Sequence, residues 1–205
     1  MSAREALLRE LRAHIADRRV LAAIERVPRE HFVSRAERRS AYANRALPIA
    51  CGQTISQPLV VGRMCELLEL RDSDRVLEVG TGSGYHAAVL AQLAAHVWSV
   101  ETHEDLSRGA AIALGMAEVD NVTLVVGDGS AGLPEEAPFD AICVTAAAPP
   151  DALPPLEAQL AAGGRLVAPV VDGEERLVRS RLESSGVVRE ELEPVRFVPL
   201  VRPSS

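Results

Sequence analysis

The stretch Val76-Leu77-Glu78-Val79-Gly80-Thr81-Gly82-Ser83-Gly84-Tyr85 constrains the fold more than any other part of the chain. An apolar run ends in three glycines at alternate positions, and Ala87-Ala88-Val89-Leu90-Ala91 follows. That order reads as a buried strand, a tight turn and the first turns of a helix. Glycines at such a turn permit positive φ and let a ligand approach bare backbone. The free N–H groups at the helix start favour an anionic or polar ligand group. The spacing is G-x-G-x-G, and Tyr85 stands where the dinucleotide fingerprint G-x-G-x-x-G needs its last glycine. A tight turn in an unrelated α/β protein would look the same from these residues alone.

Two later features narrow the reading. Glu101 closes the next apolar run, about 20 residues on, where an acid can accept from both hydroxyls of a ribose. Asp128 lies in Gly127-Asp128-Gly129, directly after the apolar run Val122–Val126. Three successive strand ends would then line one crevice at the carboxyl edge of a sheet. A glycine turn, a ribose acid and an adenine acid in this order resemble the S-adenosylmethionine site of class I methyltransferases.

The rest of the chain supplies a setting for that crevice. Leu7, Leu8, Leu11 and Ile15 recur at helical spacing, which predicts a helix over 3–16. Val20, Leu21, Ile24 and Val27 predict a second, stopped by Pro28. Residues 34–50 read as irregular. Pro58 suits the first position of a further helix, with Ser56 or Gln57 as its cap. Hydroxyls and amides just before a helix serve as caps or as binding groups, and the chemistry alone leaves both open. From residue 75 strands alternate with helices. Strands are expected at 75–80, 97–101, 122–126, 139–145 and 165–171, with helices at 84–94, 103–117 and 151–161, the last ended by Gly163-Gly164. Two final strands, 175–183 and 187–198, flank the turn Ser184-Ser185-Gly186. The expected fold is α/β: a Rossmann-like, doubly wound, mostly parallel seven-stranded sheet with a C-terminal antiparallel hairpin. Residues 1–205 read as one domain, with 1–70 an N-terminal helical extension and substrate-side segment and 71–201 the core. Residues 202–205 are expected to fray.

Composition removes several function classes. A net charge of −7 argues against nucleic-acid binding by bulk electrostatics. No run reaches the length of a membrane span, and the charged N-terminal stretch has no signal-peptide core, so a cytoplasmic location is expected. Cys51, Cys65 and Cys143 lack metal or C-x-x-C spacing and read as free thiols. Five scattered histidines add no ligand pattern, so no metal is expected.

Seven runs together are similar to one family. They are Val27-Pro28-Arg29-Glu30-His31-Phe32-Val33, Gly52-Gln53-Thr54-Ile55-Ser56-Gln57-Pro58, Glu78-Val79-Gly80-Thr81-Gly82-Ser83-Gly84-Tyr85, Gly127-Asp128-Gly129, Pro138-Phe139-Asp140, Val144-Thr145-Ala146-Ala147 and Val195-Arg196-Phe197-Val198-Pro199-Leu200. They resemble the protein-L-isoaspartate O-methyltransferases, from about residue 5 to 201. The resemblance implies methylation of the side-chain carboxylate of L-isoaspartyl residues, the first step in repair of damaged proteins and peptides. It implies S-adenosylmethionine as donor and S-adenosylhomocysteine as product. Gly80, Thr81, Gly82, Ser83 and Gly84 would then cradle the methionine part, Glu101 the ribose, and Asp128 with Gly129 the adenine. Ser56 occupies the family's active-site serine. Thr54, Ile55, Ala146, Ala147, Val198 and Pro199 would flank the substrate peptide, and a monomer is expected.

Val171 and Glu175 depart from the family's usual glycine and glutamine, which bears on peptide preference. Glu175, if it faces the peptide, would disfavour acidic flanks. Cys51 replaces a small or polar residue and reads as a buried, inert thiol. Three alternatives stand beside the main reading. The first is a specialised aspartyl methyltransferase with one dedicated peptide. The second is a non-catalytic binding protein on the same fold. The third is a nicotinamide dehydrogenase, which the glycine spacing disfavours.

Overall fold

Burial of β-rich apolar runs on both faces organises the molecule, whose computed structural model describes residues 2–201. Before the sheet come α1 (Ala3–Leu11), α2 (Arg18–Arg26), β1 (Leu47–Pro48), β2 (Thr54–Ile55) and α3 (Pro58–Leu68). Then follow β3 (Arg75–Val79), α4 (Tyr85–Ala91), β4 (His96–Glu101), α5 (Glu104–Met116), β5 (Val122–Val126), β6 (Phe139–Val144) and α6 (Leu153–Glu157). The chain ends in β7 (Leu160–Asp172), β8 (Glu174–Glu183) and β9 (Gly186–Pro194). The seven-stranded sheet has the order β5-β4-β3-β6-β7-β8-β9. Strands β5 to β7 in that order are parallel, and β8 and β9 add antiparallel. The strand order reverses between β3 and β6, so a crevice opens there at their carboxyl ends.

Alternation along β3 feeds two cores. Val76 packs with Leu11, Ile24, Met64 and Leu90 from α1 to α4 on one face. Leu77 and Val79 pack with Phe139, Leu153 and Leu156 on the other. Strands buried on both faces account for the continuous apolar runs in the sequence.

Several boundaries differ from the periodicity. The first helix ends at Leu11, not at 16. Glu66 of α3 accepts the Ala16 and Asp17 N–H groups on one oxygen, at 2.7 and 3.0 Å. That contact turns the chain, and Asp17 then caps α2 through the Arg19 N–H. The helix expected over 151–161 shrinks to α6, and β7 already starts at Leu160. Gln159 decides this: its amide spans Leu133 N–H and the Ala131 and Pro155 carbonyls. Gly163 and Gly164 therefore lie inside β7 rather than ending a helix, where the register with β6 shifts. The helix expected at 84–94 is α4, ending at Ala91. The last strand stops at Pro194 instead of 198, and 195–201 runs on as a strap. Residues 34–50, read as irregular, supply β1, which pairs antiparallel with β2. The expectation of fraying at 202–205 lies outside the described residues.

Arg165 staples the edge of the sheet opposite the crevice. Only 7 % exposed, it reaches from β7 to the Leu68, Glu69 and Asp140 carbonyls and pairs with buried Asp74. Removing one partner of a buried pair leaves an uncompensated charge. Arg165→Ala should therefore destabilise the fold by roughly 3–5 kcal/mol in urea unfolding. A loss under about 1 kcal/mol, typical of exposed pairs, would refute this account.

Candidate active site

The glycine turn is held open from below. Gly80 and Thr81 N–H groups both donate to the Val100 carbonyl, at 2.9 and 3.4 Å. Gly80 has φ +99°, and a Cβ there would sit 2.5 Å from Thr145 Oγ1. Only glycine fits that contact. Glu101, 6 % exposed, accepts the Gly82 N–H at 2.8 Å on one oxygen and the His103 N–H at 3.0 Å on the other. Thus the acid at the end of β4 fixes the turn after β3.

Around this turn opens a cleft. Gly80, Thr81, Gly82, Ser83, Glu101 and Gly129 line it, as do Thr54, Ile55, Ser56, Ala146, Val198 and Pro199. Twelve of the fifteen residues singled out by sequence therefore meet in one cavity. The remaining three do not line it. Gly84 is the N-cap of α4, and a Cβ there would come within 3.0 Å of Ala110 Cβ, so it serves helix packing. Asp128 is exposed and accepts the Ser130 N–H, which shapes the turn that presents Gly129. Ala147 is buried; its N–H donates to the Val198 carbonyl and its carbonyl accepts the Leu200 N–H, both at 2.8 Å.

Those two bonds seat the strap that closes one side of the cleft. A third anchor is Glu175, whose carboxylate accepts the Phe197 N–H at 2.6 Å. Glu175 is half-buried and tied to the strap. Its oxygen thus has a structural use besides any effect on peptide charge.

Neither expected cap of α3 operates. Gln57 is the N-cap residue but makes no side-chain cap bond. Asn44 accepts the Leu59 N–H instead, at 3.1 Å. Ser56 is thereby left half-buried with its residue lining the cleft. Cys51 is exposed, with φ +56°, contrary to the buried thiol expected. Its place in a tight turn at the protein surface accounts for that. Cys65 and Cys143, far apart in sequence, both flank His86 Nε2, at 3.5 and 3.8 Å.

Sequence reasoning missed several residues at the site. Tyr85, His86, Thr102, His103 and Thr145 also line the cleft. Tyr85, His86 and Thr145 sat inside or beside recognised runs, yet no spacing rule points to them. Burial drives the His86 pKa down to about 3, so its ring is neutral at physiological pH. Glu78 lies fully buried beneath the turn. It accepts the Ser99 hydroxyl, and Ser99 meets Thr81 Oγ1 at 2.6 Å. Its other oxygen has no partner.

With the geometry in hand, comparison with known proteins is decisive. A model of the protein-L-isoaspartate(D-aspartate) O-methyltransferase family matches residues 2–205. The chain belongs to that family. A protein-L-isoaspartate O-methyltransferase of Parvibaculum lavamentivorans is 52 % identical over 93 % of this chain and 87 % of its own length. One from Anaeromyxobacter dehalogenans is 55 % identical, over 91 % and 90 %. A solved structure of a protein-L-isoaspartate O-methyltransferase superposes with a TM-score of 0.85 at 27 % identity, over 96 % of this chain and 65 % of that one. A Plasmodium falciparum structure described as in complex with S-adenosyl-L-homocysteine shares the fold, with a TM-score of 0.83 at 24 % identity over 98 % and 99 %. The Rossmann-like methyltransferase fold is thus the family's own, hairpin included.

Glu78 makes stability depend on pH. Burial, with Glu101 adding to it and the Ser99 hydroxyl opposing, raises its pKa from 4.5 to about 8. The folded state holds a proton that the unfolded chain releases above about 4.5. This contribution is full below the unfolded value and is lost as pH rises through about 8. Glu78→Gln carries no ionisable group there. In urea unfolding without ligand, its stability relative to wild type should rise across that window by on the order of a few kcal/mol. A gap that is constant with pH would refute the assignment.

Proposed function

We propose that the cleft holds the methyl donor on the glycine turn and Glu101, and the acceptor between Ser56 and the strap. The reaction is methyl transfer from S-adenosylmethionine to the side-chain carboxylate of an L-isoaspartyl residue in damaged protein. One observation carries the division of roles. Two runs distant in sequence, Gly80 to Ser83 and Thr54 to Ser56, face a single cleft in a chain of this family.

The residues present fit the donor. Each Glu101 oxygen accepts one backbone N–H and keeps a second lone pair for a ribose hydroxyl. Gly80, Thr81, Gly82 and Ser83 offer backbone to the methionine part, and Gly129 an adenine edge, with Asp128 shaping its turn. Gly84 acts through packing, not contact. Thr54, Ile55, Ala146, Val198 and Pro199 border the peptide, and Ala147 holds the strap in place.

When bound, S-adenosylmethionine would supply a methyl group already activated on a sulfonium, open to in-line displacement by a carboxylate oxygen with S-adenosylhomocysteine as leaving group. A carboxylate with a pKa of about 4 is ionised at neutral pH, and no side chain has to remove a proton. The protein's task is orientation and exclusion of water. Ser56 donates its hydroxyl to the carboxylate and turns one oxygen toward the methyl carbon. Ile55, Val61, Val79 and Val100 supply apolar lining to the cleft. The product ester activates its carbonyl: the next backbone amide attacks, methanol leaves, and a succinimide forms off the enzyme. Its hydrolysis returns part of the chain to normal aspartate.

On this reading residues 1–205 work as one domain, with 1–70 the N-terminal helical extension and substrate-side segment and 71–201 the S-adenosylmethionine-binding core, which also lends Ala146 and the strap to the acceptor side. The enzyme acts as a cytoplasmic monomer on protein segments, not on nucleic acid or membranes. The net charge of −7 supports the first exclusion. Among the described residues no helix is long and apolar enough to cross a membrane.

Transfer of labelled methyl to matched isoaspartyl and aspartyl peptides tests the activity. Transfer to the isoaspartyl peptide alone is expected. Equal transfer to both would favour the dedicated aspartyl enzyme, and none to either the binding protein. Ser56→Ala tests the orientation role. Because Asn44 caps α3, its melting temperature should stay within a degree or two. Loss of a donor to a charged group should lower kcat/KM about 10- to 100-fold. Wild-type kcat/KM in Ser56→Ala would remove Ser56 from catalysis.

A further inference from the structure

Arg29 is fully buried, and among the described residues no carboxylate lies within ion-pair reach of it. Its Nε–H donates to the Ala41 carbonyl at 2.9 Å, and Nη2 donates to the Ser56 carbonyl at 2.8 Å. Nη1 is buried without an acceptor. The guanidinium stacks on the Tyr85 ring, 4.6 Å from its centroid. Burial lowers its basicity, with Tyr85 and Tyr42 partly offsetting this. An arginine side chain nevertheless stays charged in proteins.

A buried cation without a counter-ion is a standing cost to the fold. Two carbonyls and an aromatic face need donors and stacking, not a net charge. Those contacts leave the guanidinium's net charge unneutralised, and its position shows which part of the molecule feels that charge. Ser56 and Tyr85, the residues it leans on, both line the cleft. The guanidinium is therefore one residue behind the wall. Across that wall the cleft itself carries an acid, Glu101, and no arginine. Apart from the donor's sulfonium, a carboxylate entering would meet like charge and no protein cation on the surface. Low local dielectric lets a buried charge act across such a wall.

We propose that Arg29 is a positioning residue for the acceptor: its buried positive charge, acting through the Ser56 backbone and the Tyr85 ring, selects an anionic side chain over a neutral one of the same shape. The proposal rests on the isoaspartyl reading above. It gives the unpaired cation a function and explains how an acidic protein admits an acidic group. Arg29 also ties Ser56 to the Ala41 loop, so the residue that orients the oxygen and the charge that attracts it are held together.

Charge and shape are separable by experiment. Fluorescence anisotropy would measure binding of a labelled isoaspartyl peptide and its isoasparaginyl counterpart. S-adenosylhomocysteine is kept bound, so that no sulfonium charge contributes. Wild type should prefer the isoaspartyl peptide by about tenfold or more. Arg29→Gln should lose about tenfold in affinity for the isoaspartyl peptide and stay within about twofold for the neutral one. A purely structural role would weaken both equally, and that result overturns the proposal. Arg29→Lys keeps the charge and guards against a glutamine variant that does not fold. It should retain the preference even with a lower melting temperature. A folded lysine variant without the preference also overturns the proposal. A wild type that binds neither peptide and transfers no methyl overturns the isoaspartyl reading and the proposal with it. Preference undiminished in Arg29→Gln overturns the proposal alone.

Discussion

The hydrogen bond from the Gly80 N–H to the Val100 carbonyl carries the end of β3 onto the end of β4. Everything at the cleft depends on that crossing. It places Gly82 within 2.8 Å of the Glu101 carboxylate, and it sets Gly80 hard against Thr145 at the end of β6. Three strand ends are thereby locked to one turn before any ligand arrives. A site built on central strands, with its donors already satisfied, needs little reorganisation when substrate binds. The twist and order of the sheet do the rest, because the crevice lies where the strand order reverses.

Around this frame the protein tolerates buried polar groups that the fold alone does not require. Glu78 sits beneath the turn with one free oxygen, and Arg29 sits behind Ser56 with one free nitrogen. By contrast, the pair Arg165–Asp74, at the far edge of the sheet, is wrapped in three carbonyls. The Arg165–Asp74 pair is thus fully partnered, as stability demands. Glu78 and Arg29, next to residues of the cleft, each keep one polar atom without a partner among the described residues. The strap adds a second distinction. It has no regular structure, yet Glu175 and Ala147 bind it at four points, so it forms a wall without forming a strand.

Local pattern and tertiary contact divide the account between them. Alternating strands and helices, the glycine turn, Glu101 and the final hairpin were all legible, because each is a repeat or a residue type with a local cause. So was the family, since its runs are contiguous. Legibility failed where a distant side chain intervened. Glu66 cut the first helix short, Gln159 turned the end of an expected helix into strand, and Asn44 took the cap that Ser56 or Gln57 was expected to supply. Cys51 reached the surface through a turn that periodicity cannot see. Gly84 and Asp128 belong to the right motifs but support their neighbours instead of lining the cleft. The sequence by itself therefore determined the sheet, its order of elements and the chemical vocabulary of the site, because these follow from residue period and backbone preference. Only the tertiary structure decided which of those residues face one another, because hydrogen bonds between segments 15 to 50 residues apart leave no periodic trace.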